Sequence, residues 1–321
     1  MKVVYVVIVD IEYAVRGLAL YRSLVDHLQN SEIGFYCVDE DAATLFEEMA
    51  LPGSYVVRRP EFETPDLAAL WSTRARNEWC WTAKAALILH AFRNRRDTEW
   101  GVYLDSDMAA FGEPHIGLLS AGEEAEVVLT PHRFSAPYFA AFEEAVGRYN
   151  AGYAAFKNSE TGHAALDWWL ARCIENCPNI PNDNAYADQK YLAEIGDCFP
   201  GVSASPHCGL NAAPWNVFGK HITGTAEQPE IDGEPLLLFH FQGLRIHGTR
   251  LYDMYPDQVR LPADLIELVY RPYARRLHDA FAEIRRLRPR FRNGIRRPRP
   301  RWLLTQSVRV LRGHCNLVLA R

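Results

Sequence analysis

The sequence predicts an α/β fold built on a mostly parallel sheet with helices on both faces. The continuous β-branched run Val3–Val9 is typical of a strand buried on both sides. Segments with helical spacing of apolar residues alternate with short apolar runs as far as Leu104. Asp10 and the pair Asp105/Asp107 directly follow two of the predicted strands. Ligands of such sheets gather at the carboxyl ends of strands, so we expect a binding site there.

The predicted elements follow from local patterns. Residues 17–29 carry leucines at helical spacing, and residues 33–38 and 55–57 are short apolar strands on either side of a helix at 41–49. Beyond residue 120 the alternation loosens. The other predicted helices are 79–92, 161–177, 185–193 and 261–288, the other strands are 101–104, 126–129, 149–156 and 236–241, and a Pro/Asn loop is expected at 180–184.

Composition places the chain among ordinary globular proteins. Of its 321 residues, 48% are hydrophobic and 23% are charged. No apolar run reaches the roughly 18 residues of a membrane-spanning helix. Asp10 and Glu12 interrupt the apolar start, so we expect a buried strand there and not a signal segment. The seven cysteines are irregularly spaced, which favours reduced packing thiols and a cytosolic protein.

The C-terminal tail differs sharply in charge from the rest of the chain. Residues 285–321 contain 12 arginines and no acidic residue, although the whole chain carries a net charge of −5. Apolar residues such as Trp302 and Leu303 share this segment, which suits an anionic membrane surface. Nucleic-acid binding is the competing interpretation, and the acidic body argues against it. A disordered, solvated tail is the third possibility, and the Pro/Arg stretch after residue 288 is expected to lack regular structure.

Asp105 and Asp107 predict a metal site. In an extended segment, residues i and i+2 point the same way, so the two carboxylates can converge on one point. Convergence is costly unless a cation shares the charge, and oxygen ligands select Mg²⁺ or Mn²⁺. The alternative is a solvated loop, because short motifs often occur by chance.

Five elements in order carry a resemblance to a known family. They are Asp10, the Asp105/Asp107 pair, Asn150-Ala151-Gly152, Asp188-Gln189 and His240-Phe241-Gln242-Gly243. Over roughly residues 1–250 this order resembles the GT-A class of nucleotide-sugar glycosyltransferases, and most closely glycosyltransferase family 8 and related bacterial glycan-synthesising enzymes. The resemblance implies a Rossmann-like catalytic domain at 1–255. Within it, residues 1–130 would bind the nucleotide and 131–255 the sugar and acceptor, with a helical and basic appendage at 256–321.

The resemblance also implies roles at the nucleotide end. Asp10 and Tyr13 match residues that contact the base or ribose, and Lys84 stands where relatives place a basic residue near the donor. The residues themselves leave alternatives open. Asp10 could cap the following helix, and Lys84 could be a solvated helix lysine.

For the metal, the resemblance implies three ligands: Asp105, Asp107 and His240. Ser106 lies between the two aspartates and would border the donor. Imidazole suits Mn²⁺ better than Mg²⁺, so Mn²⁺ is favoured, with Mg²⁺ as the alternative. A core histidine is the competing interpretation of His240.

At the sugar end, the resemblance implies that Asn150 and Gly152 border the donor sugar. Asp188 would accept hydrogen bonds from sugar hydroxyls, and Gln189 would lie beneath the anomeric carbon. A glutamine is a poor base and a poor nucleophile, but its carbonyl dipole can stabilise oxocarbenium charge, which suits retention. The alternatives are a plain turn at Gly152 and an exposed helix start at Asp188.

The chain departs from the family pattern after Gly243. Relatives continue to a Lys-Pro-Trp that holds the diphosphate, whereas this chain has Leu244-Arg245-Ile246-His247. Arg245 or His247 could supply the positive charge, one position off on either side.

Together these features predict a metal-dependent glycosyltransferase. It would move a hexose from a nucleoside-diphosphate sugar, with UDP-sugar preferred, to a hydroxyl of a glycolipid or surface polysaccharide, with retention. Trp215 could stack on a sugar or belong to the core. The expected location is cytoplasmic, peripheral on the inner face of the membrane. The alternatives are a sugar nucleotidyltransferase, which would want a Gly-rich basic loop after the first strand, and a non-catalytic nucleotide-sugar-binding scaffold.

Overall fold

The computed structural model describes residues 1–27, 31–135, 142–182, 185–255, 260–296, 300–311 and 316–319, with only the backbone at 300–305. The strands are β1 (Val3–Val9), β2 (Ser31–Cys37), β3 (Ser54–Arg58), β4 (Trp100–Leu104), β5 (Met108–Ala110), β6 (Val127–Pro131), β7 (Tyr149–Lys157), β8 (Val202–Ala204), β9 (Ile222–Gly224), β10 (Pro229–Ile231), β11 (Glu234–Pro235), β12 (Leu238–His240), β13 (Arg245–Ile246), β14 (Leu251–Asp253) and β15 (Leu317–Leu319).

Helices lie between the strands and after them. They are α1 (Ala14–Leu24), α2 (Glu40–Met49), α3 (Arg59–Phe62), α4 (Pro65–Leu70), α5 (Arg76–Asn94), α6 (Pro114–Leu119), α7 (Phe142–Val146), α8 (Glu160–Glu175), α9 (Tyr191–Cys198), α10 (Ala263–Leu265), α11 (Arg271–Leu287) and α12 (Pro300–Leu311). A 3₁₀ turn, Val25–His27, extends α1, and a π-helical turn, Ile266–Tyr270, joins α10 to α11. Among the described residues, no helix is both long and apolar enough to cross a membrane.

Seven strands form the central sheet, in the order β3-β2-β1-β4-β7-β6-β8. Pairing is parallel from β3 through β2 and β1 to β4, and again between β6 and β8. Strand β7 runs antiparallel to both of its neighbours. The prediction of a mostly parallel sheet in an α/β fold is therefore confirmed.

Hydrophobic layers cover both faces of this sheet. On one face, Leu18 of α1 and Phe281 of α11 share a buried cluster with Val7. On the other, Trp79 of α5 and Trp169 of α8 pack with the alternate β1 side chains. Successive residues of a strand point to opposite faces, so β1 must be apolar at every position, as its β-branched run is.

Strand register brings the polar residues to one edge. Strands β1 and β4 are parallel, with Val6 paired to Tyr103, so Asp10 and Asp105 follow neighbouring strands at the same end. Antiparallel β7 starts at that end. Strand β12 pairs with β5 so that His240 stands opposite Met108, directly after Asp107. Segments far apart in the sequence therefore meet at the carboxyl edge of the sheet.

The Pro/Arg stretch after residue 288 forms no helix or strand over its described residues 289–296, apart from an isolated bridge at Ile295, as the sequence predicts. Beyond it the chain forms elements that the sequence pattern did not indicate: residues 300–311 form α12 and residues 317–319 form β15, which pairs with β14. Arg309 lies 2.7 Å from the fully buried carboxylate of Asp253, which gives its charge a partner inside the fold. The predicted helix at 185–193 is instead a series of turns that ends where α9 begins at Tyr191. Residues 183–184 and 297–299 lie outside the described residues.

Candidate active site

A cavity of about 720 Å³ opens at the carboxyl edge of the sheet. Almost all the residues that the sequence singled out line it. They are Asp10, Tyr13, Lys84, Asp105, Ser106, Asp107, Asn150, Gly152, Asp188, Gln189, His240 and Gly243. Arg245 lies on β13 and is not among the lining residues.

The three predicted metal ligands come together in the wall of this cavity. His240 Nε2 lies 3.2 Å from Asp107 Oδ1 and 3.7 Å from Asp105 Oδ2. One ligand atom from each of the three residues lies within 4.8 Å of the others. Burial disfavours charge on His240, but Asp107 and Asp105 outweigh it and raise the imidazole pKa. Two carboxylates and one imidazole are a donor set that fits Mn²⁺, or Mg²⁺ with weaker preference.

Asn150 fixes the orientation of His240. Its Oδ1 accepts the backbone N–H of Gly152 at 3.0 Å, so this atom is the carbonyl oxygen of the amide. The same oxygen lies 3.3 Å from His240 Nδ1 and accepts from Asn211 Nδ2 at 3.1 Å. Nδ1 therefore carries a proton, and Nε2, which faces the two carboxylates, is the nitrogen that can bind a cation in place of its own proton. An outer partner of this kind is the usual way to hold a metal-ligating histidine.

Gly152 is required by this arrangement. A Cβ at this position would lie 2.7 Å from His240 Nδ1 and 2.8 Å from Asn150 Oδ1. Both contacts are too short for any side chain. Within the protein, the glycine leaves room for the imidazole and its amide partner.

Lys84 is a buried member of the site, with 2% of its surface exposed. Its Nζ lies 3.2 Å from Asp105 Oδ1 and 3.0 Å from Asp188 Oδ2, and it donates to Ala151 O at 3.0 Å. The ammonium also lies 4.4 Å from the centre of the Tyr103 ring. Burial opposes its charge, but the two carboxylates outweigh burial and raise the pKa of Lys84. The solvated-lysine alternative does not describe this residue.

Asp188 and Gln189 close the other side of the cavity. Asp188 is 2% exposed, and burial together with Asp105 raises its pKa to about 6 although Lys84 opposes the rise. Gln189 donates from Nε2 to Val146 O at 3.0 Å, and its Oε1 accepts from Asn150 Nδ2 at 3.4 Å. These bonds hold the glutamine carbonyl against the same asparagine that orients His240.

Asp10 bonds to the turn that follows it and also lines the cavity. Its Oδ1 accepts the backbone N–H of Tyr13 at 3.0 Å, which caps the turn before α1, and the residue also lines the cavity. Burial raises the pKa of Asp10. The Tyr13 ring is 44% exposed, with Arg16 4.9 Å from its centre. Gly243 has φ of +82°, a conformation that favours glycine.

Sequence reasoning missed His132, which lines the cavity and is 3% exposed. Its Nε2 lies 3.4 Å from Asn150 Nδ2, and burial lowers its pKa to about 4, so the ring is neutral at physiological pH. Trp215 packs edge-on against His240, with ring centres 5.5 Å apart. An isolated histidine after a strand gave no spacing signal. The only hint was its position just beyond β6.

Three comparisons with known proteins bear on the chain, and no family model matches it. Solved structures with similar folds include a glycosyltransferase involved in glycosylation of the major capsid of PBCV-1 (TM-score 0.46, 11% identity, 76% of this chain and 94% of that one). Others are mouse xyloside xylosyltransferase 1 (0.46, 11%, 75% and 98%) and the galactosyltransferase LgtC with donor and acceptor sugar analogues (0.41, 15%, 66% and 76%).

By sequence, the chain is similar to two uncharacterised proteins of Bacillus subtilis (strain 168). It is 27% identical to YfnF over 80% of this chain and 86% of that protein. It is also 27% identical to YfnD, over 87% of this chain and 89% of that protein. At these levels of identity and structural similarity, the argument for activity depends on the geometry of the site itself.

Proposed function

We propose that this protein is a metal-dependent glycosyltransferase that moves a hexose from a nucleoside-diphosphate sugar, with UDP-sugar preferred, to a hydroxyl acceptor. The observation that carries the proposal is the meeting of Asp105, Asp107 and His240 in a cavity that Asp188 and Gln189 also line. A cation site and a sugar-binding wall within one cavity of about 720 Å³ suit a substrate that has both a diphosphate and a sugar.

Asp105, Asp107 and His240 would hold Mn²⁺, or Mg²⁺. The ion would offset charge on the departing diphosphate. Asn150 keeps the imidazole in the tautomer that leaves Nε2 able to bind a cation. Lys84 lies 3.2 Å from Asp105 on the protein side and so fixes the position of the carboxylate.

At the sugar end, Asp188 would accept hydrogen bonds from donor hydroxyls. The Gln189 carbonyl would lie near the developing oxocarbenium charge. The described wall there offers an amide and no second carboxylate besides Asp188, so charge stabilisation by a dipole suits this site better than a covalent intermediate. We therefore favour retention, with the leaving phosphate and the incoming hydroxyl on the same face.

For the acceptor, we propose a glycolipid or surface polysaccharide met at the cytoplasmic face of the membrane. The support is the end of α12, where Val310 is 60% exposed and Leu311 is 86% exposed on an arginine-rich segment. Deleting the tail would remove the buried Arg309–Asp253 pair, so point variants test the idea better. The double variant Val310→Asp/Leu311→Asp should lose recovery on anionic vesicles and keep turnover of a soluble acceptor. Unchanged recovery would end the membrane proposal.

Thermal stability tests the central proposal. Mn²⁺ with UDP should raise the melting temperature of the wild type by mass action. The shift should vanish in Asp105→Asn and persist in Asp97→Asn, a control at an exposed carboxylate far from the cavity. Equal shifts in wild type and Asp105→Asn would favour a scaffold. With a UDP-sugar and acceptor, release of UDP supports transfer, whereas consumption of pyrophosphate would indicate a nucleotidyltransferase.

A further inference from the structure

The proposed function leaves the negative charge of the diphosphate without a partner in the protein. A nucleoside diphosphate carries several negative charges, and the charge of a divalent ion between Asp105 and Asp107 would already be balanced by these two carboxylates. Among the described residues that line the cavity, Lys84 and Arg76 are the only lysine or arginine side chains. Lys84 is balanced by Asp105 and Asp188, and Arg76 stacks 4.4 Å from the Trp71 ring centre. Further positive charge is therefore needed on the side of the cation site where Asp107 lies.

The C-terminal segment 292–296 crosses this side of the molecule. Asn293 Nδ2 donates to Glu12 Oε1 at 2.6 Å, and the Gly294 backbone N–H donates to Glu12 Oε2 at 2.8 Å. On its other side, Ile295 forms a parallel bridge with Ile246 of β13. The segment therefore ties the loop after β1 to β13.

Both of these neighbours lie close in the sequence to residues that line the cavity. Glu12 lies between Asp10 and Tyr13, which line the nucleotide end, and β13 begins two residues after Gly243, which also lines it. The side chain of Ile246, on β13, is fully buried. The backbone N–H of Arg296 donates to Ile246 O at 2.7 Å, so an arginine is attached beside that position by the C-terminal segment.

The contact between segment 292–296 and the β1–α1 loop requires a glycine at position 294. Gly294 has φ of +79°, and a Cβ there would lie 2.6 Å from the Glu12 carbonyl oxygen and 3.9 Å from Arg16 NH1. A side chain would be both strained and in collision with backbone. The close approach of segment 292–296 to the β1–α1 loop therefore depends on the glycine.

We propose that Arg296, which this segment holds beside the nucleotide site, binds the diphosphate of the donor. This rests on the proposed function, because it names the group that recognises the phosphates in the same cavity. The Arg296 backbone is fixed on β13 while its side chain is exposed, so the guanidinium can reach phosphate oxygens and bind them bidentately.

Two further observations support this placement. Burial and Asp107 raise the pKa of Tyr13, and the charges of Arg16 and Arg296 oppose the rise, so both guanidinium groups act on a ring in the cavity wall. Arg16 itself is 7% exposed and donates to Leu244 O at 3.0 Å, which makes it a positioning residue for the turn after Gly243. Of these two arginines, only Arg296 is exposed.

The test compares two arginines of the same segment in the full-length chain. With Mn²⁺ present, UDP and uridine binding are measured for the wild type, Arg296→Ala and Arg292→Ala. Arg292 is an exposed residue of the same segment, so its substitution by alanine removes the same charge and serves as the control. Arg296→Ala should weaken UDP binding roughly tenfold or more, since a charge-assisted pair is lost, and leave uridine binding unchanged. Arg292→Ala should behave as the wild type.

A second variant tests the contact of segment 292–296 with the β1–α1 loop. Gly294→Ala should weaken UDP binding in the same direction without lowering the melting temperature of the free protein by more than a few degrees. Unchanged UDP affinity in Arg296→Ala, or equal losses in Arg296→Ala and Arg292→Ala, would overturn the inference while the proposed function stands. A wild type that binds none of UDP, GDP, ADP and TDP with Mn²⁺ would remove both.

Discussion

Two charged clusters meet at Asp105, and they are built differently. On one side, Asp105 Oδ2 faces His240 and Asp107, where two carboxylates have only an imidazole between them and their side chains are 25% and 20% exposed. On the other, Asp105 Oδ1 faces Lys84 and Asp188, whose side chains are each 3% exposed. The first cluster has access to solvent and no lysine or arginine to offset its carboxylates, whereas the second contains a buried ammonium and is closed.

This difference assigns separate tasks to neighbouring carboxylates. A cluster that is negative and open gains from taking up a cation, so its residues should matter most when metal and nucleotide are present. A balanced buried cluster contributes to the folded state itself, and breaking it leaves an unpaired charge inside the protein. Substitutions on the two sides of Asp105 should therefore fail in different assays.

The largest effect is expected at the open cluster. Asp107→Asn keeps the size of the side chain and removes one cation ligand, so transfer should fall by about 10³-fold with little change in the stability of the free protein. Steady-state transfer and chemical denaturation, measured on the same preparations, check this. A variant that lost stability and kept its rate would reverse the assignment of the two clusters.

The closed cluster should respond in the opposite way. Lys84→Met leaves Asp105 and Asp188 without their shared cation, and we expect a loss of about 3 kcal/mol in the free energy of unfolding. Arg93→Met, at an exposed position of the same helix, should change stability by less than about 0.5 kcal/mol. Urea denaturation measures both. A loss in Lys84→Met as small as in the control would mean that the ion cluster does not stabilise the fold.

The contrast between the clusters also marks what the sequence could predict. Val3–Val9 and the Asp105/Asp107 pair are local signals, because β-branched runs and i, i+2 spacing fix strand character and side-chain direction. Their place at one edge of the sheet follows from parallel topology. The fold class and the two aspartates of the open cluster were accordingly predictable, whereas His240 was named only through the family resemblance.

The closed cluster was not predictable, because helical spacing cannot separate a solvated lysine from one buried against a distant carboxylate. Lys84 on α5 contacts Asp188 only because the turns around Asp188 pack against that helix, and the sequence pattern predicted a helix in place of these turns. His132 gave no spacing signal at all. Helix α12 was not predictable for a similar reason, since the partner of Arg309 is Asp253, far back in the chain.

A smaller effect on cation binding should follow from a substitution that displaces the His240 imidazole but keeps all three ligand residues. In Gly152→Ala the new Cβ would meet His240 Nδ1 at 2.7 Å, so the imidazole must shift. We expect Mn²⁺ affinity in the presence of UDP to fall 10- to 100-fold. Gly196→Ala, where the nearest atom would be 4.0 Å away, is the matched control. Equal Mn²⁺ affinities in the two variants would show that the imidazole position does not govern cation binding.

The smallest effect is a pH dependence that belongs to the closed cluster alone. The pKa of Asp188 is about 6 in the folded protein, against an ordinary value of 3.8 that we take for the unfolded chain. Between these values the folded state holds a proton that the unfolded state has lost. The carboxyl therefore contributes stability that is fully present below pH 3.8 and lost as the pH rises through about 6.

Asp188→Asn isolates this contribution, because the amide does not titrate. The difference in unfolding free energy between wild type and Asp188→Asn should fall as the pH rises from about 4 to about 6, by at most about 1.4 kcal/mol per pH unit, and stay level above that window. Urea denaturation at four pH values measures it. A difference that stayed level from pH 4 to pH 6 would mean that Lys84 outweighs burial and that the Asp188 carboxyl is ionised throughout this window. In that case Asp188 and Lys84 would both be charged at every pH in the window, and the closed cluster would add no pH dependence to the stability of the fold.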